Sequence, residues 1–246
     1  MTFQNNTILI TGGSSGLGLE MAKQFIRLGN KVIVCSRTSE KLRQAQNTVP
    51  EILTYTCDIS VEEERRKLSK WVDENHPEIN ILINNAAIVH RIQFADDIES
   101  YEKSVEEITT NLQAPIHLSK LFLPLLAVNS GTKIINITTG LVYVPRTDYP
   151  FYNATKAALH SFTQVLRNHL KNNSVKVIEV LFPVVDTPWH EGNAPKIAIT
   201  PQKAVNEMIK GLTNGKDEIR IGKVRILYYL SRLAPKFAFR KINSLR

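Results

Sequence analysis

The sequence predicts an α/β protein in which a doubly wound parallel sheet of about seven strands carries helices on both faces. Short apolar runs alternate with stretches of helical periodicity along most of the 246 residues, a pattern typical of βα repeats. No internal repeat or linker-like segment interrupts this alternation, and the length suits one such domain. We therefore expect a single domain over residues 1–223, followed by a basic, amphipathic tail at 224–246.

Each expected element rests on the period of its apolar residues. Compact runs of Val, Ile and Leu predict buried strands, and helical spacing such as Leu17, Met21, Phe25 and Leu28 predicts the helices between them. The expected strands are residues 7–11, 31–36, 53–57, 81–84, 133–139, 175–182 and 218–221. The expected helices are residues 17–28, 39–47, 61–74, 97–128 with a break near Pro115, 152–172 and 201–213.

The turn between the first strand and the first helix is rich in glycine, reading Thr-Gly-Gly-Ser-Ser-Gly-Leu-Gly over residues 11–18. Such a turn offers unpaired N–H groups and the positive end of a helix to a phosphate. Gly12 would supply the tight turn, Gly16 the close approach to a pyrophosphate, and Gly18 the packing of helix on strand. The spacing differs from the Gly-x-Gly-x-x-Gly fingerprint of dinucleotide sites, so a purely structural turn is the alternative.

Tyr152 and Lys156 are the most informative pair in the sequence. Four residues apart on a helix, their side chains share one face. A tyrosine titrates near ~10 and is a poor base at neutral pH. A neighbouring ammonium favours the phenolate and lowers that pKa, which makes the phenol useful for proton transfer. Thr139, thirteen residues upstream, is either a hydroxyl donor for the same reaction or merely a good β-former.

Composition is that of an ordinary globular enzyme. Hydrophobic residues make up 43% of the chain, a normal share, and no window approaches the ~18 uninterrupted apolar residues of a membrane span. The N-terminal residues have neither a basic start nor an apolar signal core, so we expect a cytoplasmic protein. Cys35 and Cys57 each lie near the end of an apolar run, which favours buried thiols on adjacent strands over a disulfide. No histidine pair has ligand spacing, and no metal site is expected.

Several motifs resemble, in order and spacing, those of the short-chain dehydrogenase/reductase family, and the resemblance covers residues 1 to about 222. They are the glycine turn, Asn84-Asn-Ala-Ala87, Asn111, Asn136-Ile-Thr-Thr139, Tyr152-x-x-x-Lys156 and Val185-Asp-Thr187. Residues 217–222 and 230–235 further resemble the DltE-type oxidoreductases, named after an operon for D-alanylation of lipoteichoic acid. The resemblance implies a Rossmann-type fold, a nicotinamide cofactor, a small-molecule substrate and a homo-oligomer, either a dimer or a tetramer.

The resemblance also implies roles for single residues. Tyr152 would exchange a proton with the substrate oxygen, Lys156 would lower its pKa and bind the nicotinamide ribose, and Thr139 would replace the family's serine. Asn111 would hold a water in a proton relay to Lys156, unless it is an exposed helical asparagine. The expected cofactor contacts are Gly12, Ser14, Ser15, Gly16, Leu17, Gly18, Ser36, Arg37, Asp58, Ile59, Asn85, Ala86, Tyr152, Lys156, Val185 and Thr187.

Two of these positions carry an ambiguity or a departure from the family. Asp58 would accept a hydrogen bond from the adenine amine, although it could also cap the helix that begins near Val61. After the sixth strand the family commonly has Pro-Gly-x-Val-x-Thr, but here Pro183 takes the glycine position and stiffens the backbone. Thr187 and the backbone of Val185 are still expected to reach the nicotinamide amide.

The end of the second strand predicts which nicotinamide cofactor binds. A carboxylate there would bind the ribose 2′-hydroxyl of NAD and repel a 2′-phosphate. Ser36 and Arg37 instead provide a hydroxyl and a guanidinium, which suit a phosphate and favour NADP (NADPH). The alternative is that Arg37 is an exposed residue opening a helix. Ser15 lies where a second basic residue would have strengthened the preference.

The substrate pocket is expected between residues 90–91, 141–151 and 186–199. A mostly aromatic lining of this kind suits a non-acidic carbonyl or alcohol. The expected lining residues are Tyr143, Tyr149, Trp189 and His190. His90 and His190 are either ligands of the substrate or, as we favour, simple loop residues.

The net charge of +8 lies almost entirely in the last 31 residues. Residues 1–215 carry 22 Lys+Arg against 21 Asp+Glu, whereas residues 216–246 carry 9 against 2. No basic stripe crosses the domain, so no nucleic-acid partner is expected. In the tail, basic residues alternate with aromatic and aliphatic ones, as in segments that lie on an anionic membrane surface, here the inner face of the membrane. The alternative is that the apolar side packs on the domain or on another subunit. Pro235 should split the tail into two short helices.

These features together predict an NADP-dependent oxidoreductase that acts on a carbonyl or secondary alcohol, with a link to cell-envelope genes implied by the DltE resemblance. The alternative is a regulator or scaffold that binds the nucleotide but has lost the chemistry. The set Asn111, Thr139, Tyr152 and Lys156 favours the enzyme, because a pure binding protein has no use for the Tyr152 phenol.

Overall fold

The protein, described by a computed structural model over residues 3–190 and 192–244, is built on one parallel sheet. Its strands are β1 Thr7–Thr11, β2 Lys31–Ser36, β3 Leu53–Thr56, β4 Ile81–Asn84, β5 Lys133–Thr139, β6 Lys176–Phe182 and β7 Glu218–Arg220. The strand order is β3-β2-β1-β4-β5-β6-β7, and every neighbouring pair is parallel. The predicted seven-stranded sheet is confirmed, with strand ends within one residue of the prediction.

Helices cover both faces of this sheet. They are α1 Gly16–Arg27, α2 Ser39–Thr48, α3 Glu62–Asn75, α4 Ser100–Ile108, α5 Ala114–Ala127, α6 Pro150–His169, α7 Pro201–Thr213, α8 Val224–Leu233 and α9 Pro235–Asn243. Apolar residues of α1, α2 and α7 form one core against the sheet, and those of α3 and α5 form a second core on the opposite face. This is the doubly wound arrangement.

The strand order places a crevice at the middle of the sheet. From β1 the chain proceeds outward to β2 and β3, then returns to β4 on the other side of β1. The connections on either side of β1 and β4 therefore diverge, and ligands of such sheets bind in the crevice at the carboxyl ends of these strands.

The long helical stretch predicted at 97–128 is broken where expected. Pro115 has no N–H with which to continue the α-helical ladder to the carbonyl of Asn111. The chain makes a π-helical turn at Thr109–Gln113 between α4 and α5, with Asn111 in its centre. Turns of this type are frequent at functional sites.

The tail forms two helices, α8 and α9, that meet at Pro235 as predicted. Val224 is buried against the domain. The ring of Tyr228 lies between two guanidinium groups, 3.6 Å from Arg220 and 3.7 Å from Arg232, an arrangement that cation–π attraction favours. One side of the tail therefore packs on the domain. No helix in the described residues is long and apolar enough to span a bilayer.

Candidate active site

A cavity of about 1530 Å³ opens at the carboxyl ends of the strands, where the strand order places the crevice. The predicted site residue that does not line it is Asn111, which is buried in the π-helical turn. The others all do: Gly12, Ser14, Ser15, Gly16, Leu17, Gly18, Ser36, Arg37, Asp58, Ile59, Asn85, Ala86, Thr139, Tyr152, Lys156, Val185 and Thr187.

The glycine turn after β1 has no room for side chains. Gly12 and Gly16 have φ of +66° and +52°, a region that disfavours other residues. A Cβ on Gly18 would come within 2.3 Å of the Gly12 carbonyl oxygen, and one on Gly16 would meet Thr187 at 3.4 Å. The turn thus presents bare backbone at the start of α1, which fits the pyrophosphate of a dinucleotide.

The region after β2 and β3 is more basic than the sequence pattern suggested. Besides Ser36 and Arg37, Lys41 lines the cavity. It lies in the first turn of α2, four residues after Arg37. Side chains at this spacing can lie on the same side of a helix, so the sequence could have indicated that Lys41 accompanies Arg37. The Asp58 carboxylate accepts hydrogen bonds from the Ser60 N–H and hydroxyl at 2.9 and 2.7 Å. It therefore fixes a turn ahead of α3, and the alternative role as that helix's cap is wrong.

The two cysteines are free and buried, as predicted. Cys35 in β2 lies against Cys57, and a hydrogen bond between the thiols, together with burial, raises the pKa of Cys35 well above its ordinary value. Over residues 3–190 and 192–244, no three His, Cys, Asp or Glu side chains are grouped so as to hold a metal ion.

Lys156 and Tyr152 lie in α6, one turn apart. The Lys156 ammonium donates to the carbonyl of Ile137 at 2.9 Å and lies 5.8 Å from the Tyr152 ring centroid. Burial lowers the pKa of Lys156 to about 8, opposed by the charges of Glu179 and Glu107.

Tyr152 differs from its prediction. Burial, with a smaller contribution from the charge of Glu107, raises its pKa above the ordinary value. The predicted lowering by Lys156 is not seen in this arrangement, because the ammonium is bonded to the Ile137 carbonyl and not to the phenol.

Thr139 ends β5 with its hydroxyl at the cavity. Its Oγ1 accepts a hydrogen bond from the Leu141 N–H at 3.3 Å. Since a hydroxyl carries one proton and two acceptor positions, this contact leaves the proton of Thr139 available for an oxygen in the cavity. Thr139 lines the cavity with its added methyl group present.

Asn111 is fully buried, so the interpretation as an exposed helical residue is wrong. Its side-chain amide accepts from the Ile88 N–H and donates to the Ile88 carbonyl, both at 2.8 Å. The side chain therefore fixes the segment after β4, which lines the cavity. Pro115 has no N–H to donate to the Asn111 carbonyl, and the role of Asn111 in a proton relay stays a prediction.

Two buried carboxylates flank this region, and the sequence analysis missed both. Glu107 accepts from the backbone N–H of His90 at 2.8 Å and lies 3.1 Å from its ring nitrogen. Glu179 lies 2.8 Å from the ring of His160. Its signal was present in the sequence as a lone acid within the apolar run of β6, since a buried carboxylate requires partners.

The substrate end of the cavity is only partly as predicted. Tyr149 and Trp189 line it, with ring centroids 6.0 Å apart. Tyr143 does not line it, because its hydroxyl is bonded to Glu218 at 2.7 Å. His90 is likewise drawn away by Glu107.

The tail supplies a wall of the cavity that the sequence did not predict. Apolar side chains of both α8 and α9 line the cavity. The tail residues concerned are Ile226, Leu227, Leu230 and Ile242.

A family model described as short chain dehydrogenase matches residues 6–197. The chain belongs to this family. It is 40% identical to the oxidoreductase DltE of Bacillus subtilis, with 99% of both chains covered. A tropinone reductase homologue of Arabidopsis thaliana is 30% identical, over 76% of this chain and 70% of its own. The predicted resemblance is confirmed, and the protein is an oxidoreductase of the short-chain dehydrogenases.

Solved structures share the fold along the whole chain. A short-chain dehydrogenase from Burkholderia cenocepacia in complex with NADP has a TM-score of 0.86 at 23% identity, covering 98% of this chain and 99% of its own. One from Burkholderia phymatum in complex with NAD has a TM-score of 0.83 at 16% identity, covering 100% and 98%. At these identities the likeness concerns the Rossmann-type fold.

Proposed function

We propose that the protein is an NADPH-dependent oxidoreductase that interconverts a carbonyl and a secondary alcohol. The observation that carries this proposal is one continuous cavity with the glycine turn and Arg37 at one end and Tyr152, Lys156 and Thr139 at the other. A bound nicotinamide supplies or accepts the hydride. The protein's own residues bind, orient and exchange the proton.

The side chains around Tyr152 divide the proton chemistry between them. The Tyr152 phenol gives its proton to the substrate oxygen in reduction and takes it back in oxidation. Thr139 donates its free hydroxyl proton to the same oxygen and orients it. The raised pKa of Tyr152 keeps the phenol protonated, so the Lys156 ammonium has to move towards it, away from the Ile137 carbonyl, to favour the phenolate.

The preference for NADP is supported by charge. Arg37 and Lys41 both line the nucleotide end of the cavity, where two cations suit a 2′-phosphate. Asp58 lies just after β3 and is held in a turn by Ser60, which supports the proposed hydrogen bond from the adenine amine to its carboxylate. The neighbour bound to NADP accords with this choice, and the neighbour bound to NAD shows that the fold admits both.

The lining supports a substrate with an apolar body. Tyr149, Trp189 and the tail helix α8 surround the catalytic end. Arg91 and Arg146 share one carboxylate, that of Asp148, at 3.3 and 3.4 Å, and Lys223 and Lys241 also line the cavity. The proposal of a non-acidic substrate therefore rests on the aromatic and apolar lining and not on charge. The link to cell-envelope genes stays a prediction that rests on the DltE resemblance.

Two exposed apolar surfaces support the proposed partners. The first, on the acidic segment of residues 94–108, comprises Phe94, Ile98, Tyr101, Val105 and Ile108, and we assign it to contact with a second copy in a homo-oligomer. The second lies on the outer side of the tail and comprises Tyr229, Leu233 and Phe237. Because basic residues surround it, we assign it to peripheral contact with an anionic membrane.

Replacing Tyr152 with phenylalanine tests the chemistry against the alternative of a silent nucleotide-binding regulator. Tyr152→Phe removes only the phenolic hydroxyl, so turnover of a carbonyl substrate, followed by nicotinamide absorbance, should be abolished while NADPH affinity changes little. Tyr149→Phe, a matched change in the same cavity, should keep most of the activity. A Tyr152→Phe protein that retains more than a few per cent of the rate rules out Tyr152 as the acid/base.

The nucleotide preference is tested at Arg37. A hydrogen bond to a charged group contributes about 1.5–3 kcal/mol, so Arg37→Ala should weaken NADPH binding roughly tenfold to a hundredfold and leave NADH binding nearly unchanged. Arg43→Ala, which removes an exposed cation paired with Glu40, is the control and should change neither. Equal calorimetric affinities of the unmutated protein for NADPH and NADH would refute the preference.

The membrane assignment is tested by sedimentation with vesicles. The protein should pellet with phosphatidylglycerol vesicles but not with phosphatidylcholine vesicles, and salt should weaken the binding. Leu233→Ser with Phe237→Ser should abolish pelleting, while the matched pair Ile98→Ser with Tyr101→Ser should not. If the tail variant instead yields a smaller oligomer on gel filtration and the unmutated protein never pellets, the tail is an assembly element.

A further inference from the structure

Two titratable side chains, the buried Glu179 and the partly buried His160, lie on or next to the helix that carries Lys156 and do not line the cavity. Glu179 is in the middle of β6 and fully buried. His160 lies one turn after Lys156 on α6, with its Nδ1 2.8 Å from a Glu179 carboxylate oxygen. The hydroxyl of Thr138 donates to the same carboxylate. The proposed reaction uses none of these three groups.

We propose that Glu179 is a positioning residue that keeps the buried Lys156 side chain charged, and that His160 controls how much of the Glu179 charge acts on Lys156. The inference rests on the proposed function, in which the Lys156 ammonium is needed beside Tyr152. A buried ammonium loses its hydration and gives up its proton more easily. A carboxylate fixed on the adjacent strand offsets that loss without occupying the cavity.

The charges around Lys156 support this role. Burial lowers its pKa to about 8, and the largest opposing effect is the charge of Glu179, followed by that of Glu107. Glu107 on α4 is in turn bonded to His90. Each carboxylate near Lys156 thus shares its charge with a histidine. The titratable groups around Lys156 are Glu179 from β6 and Glu107 from α4, whose charges act on it, and Tyr152 from α6, whose ring centroid lies 5.8 Å away; His160 contacts Glu179.

His160 makes the effect of Glu179 depend on pH. The hydrogen bond to Glu179 raises the pKa of His160, while burial opposes the rise. A protonated His160 neutralises Glu179. When His160 loses its proton as the pH rises, the full carboxylate charge of Glu179 acts on Lys156. The other groups at His160 are Glu218, Arg167 and the ring of Tyr143.

The charge of Lys156 can be followed without turnover. In protein carrying ¹³C at the lysine Cε, the Lys156 resonance is assigned by its loss in Lys156→Arg and titrated by NMR. Glu179→Gln preserves size but removes the anion, so Lys156 should titrate lower by about one pH unit or more. The alkaline limb of the kcat/KM profile should move down with it. His160→Gln removes the competing cation and should leave the Lys156 titration unchanged or higher.

The opposite behaviour of the two variants separates charge from packing. Thr163→Val is the control. Thr163 lies in the same helix as Lys156, and the change removes the acceptor of a buried hydrogen bond from Asn136 in β5 but no charge, so the Lys156 titration should stay in place. An unchanged Lys156 titration in Glu179→Gln overturns the proposal. A downward shift of the Lys156 titration in His160→Gln also overturns it, and this second variant decides the question if Glu179→Gln does not fold. A protein that reduces no carbonyl but passes the NMR test contradicts only the proposed function.

Discussion

The burial of one ammonium, that of Lys156, is the constraint on which the catalytic end of this molecule depends. An isolated buried charge is costly and tends to neutralise. Here the ammonium donates a hydrogen bond to the Ile137 carbonyl at 2.9 Å, and two buried carboxylates, Glu179 and Glu107, oppose the loss of its charge. Sheet, helix α4 and helix α6 each contribute one part, so the site exists only when all three are packed together.

Both ends of the cavity likewise depend on segments that the fold brings together. The reversal of strand order at β1 and β4 opens a crevice. The bare backbone of the glycine turn lines one part of the cavity there, and α6, which carries Lys156, lines another. The π-helical turn places Asn111 where its amide fixes the Ile88 segment. Finally, the tail contributes apolar side chains to the cavity lining. The packing of the Tyr228 ring between Arg220 and Arg232 helps to hold the tail on the domain.

Local signals made most of the fold and part of the site predictable. The strand periods, the glycine turn and the four-residue spacing of Tyr152 and Lys156 are all properties of short segments. The features that were not predicted depend on contacts between segments far apart in the sequence. Glu218 binds the Tyr143 hydroxyl and keeps that side chain out of the cavity. Helix α8 lines the cavity, and the Glu179 charge acts on Lys156 from β6. The direction of the Tyr152 pKa was mispredicted for the same reason, because burial and the partner of Lys156 are set by tertiary packing.

We propose that a single dinucleotide spans the cavity from the glycine turn to α6, the helix that carries Lys156. A crystal structure with bound NADPH tests this directly. It should show the 2′-phosphate beside Arg37 and Lys41, and the nicotinamide next to Tyr152 and Thr187, with the Lys156 ammonium moved from the Ile137 carbonyl towards the ribose. A dinucleotide bound outside this cavity, or a nicotinamide placed away from Tyr152, would contradict the account.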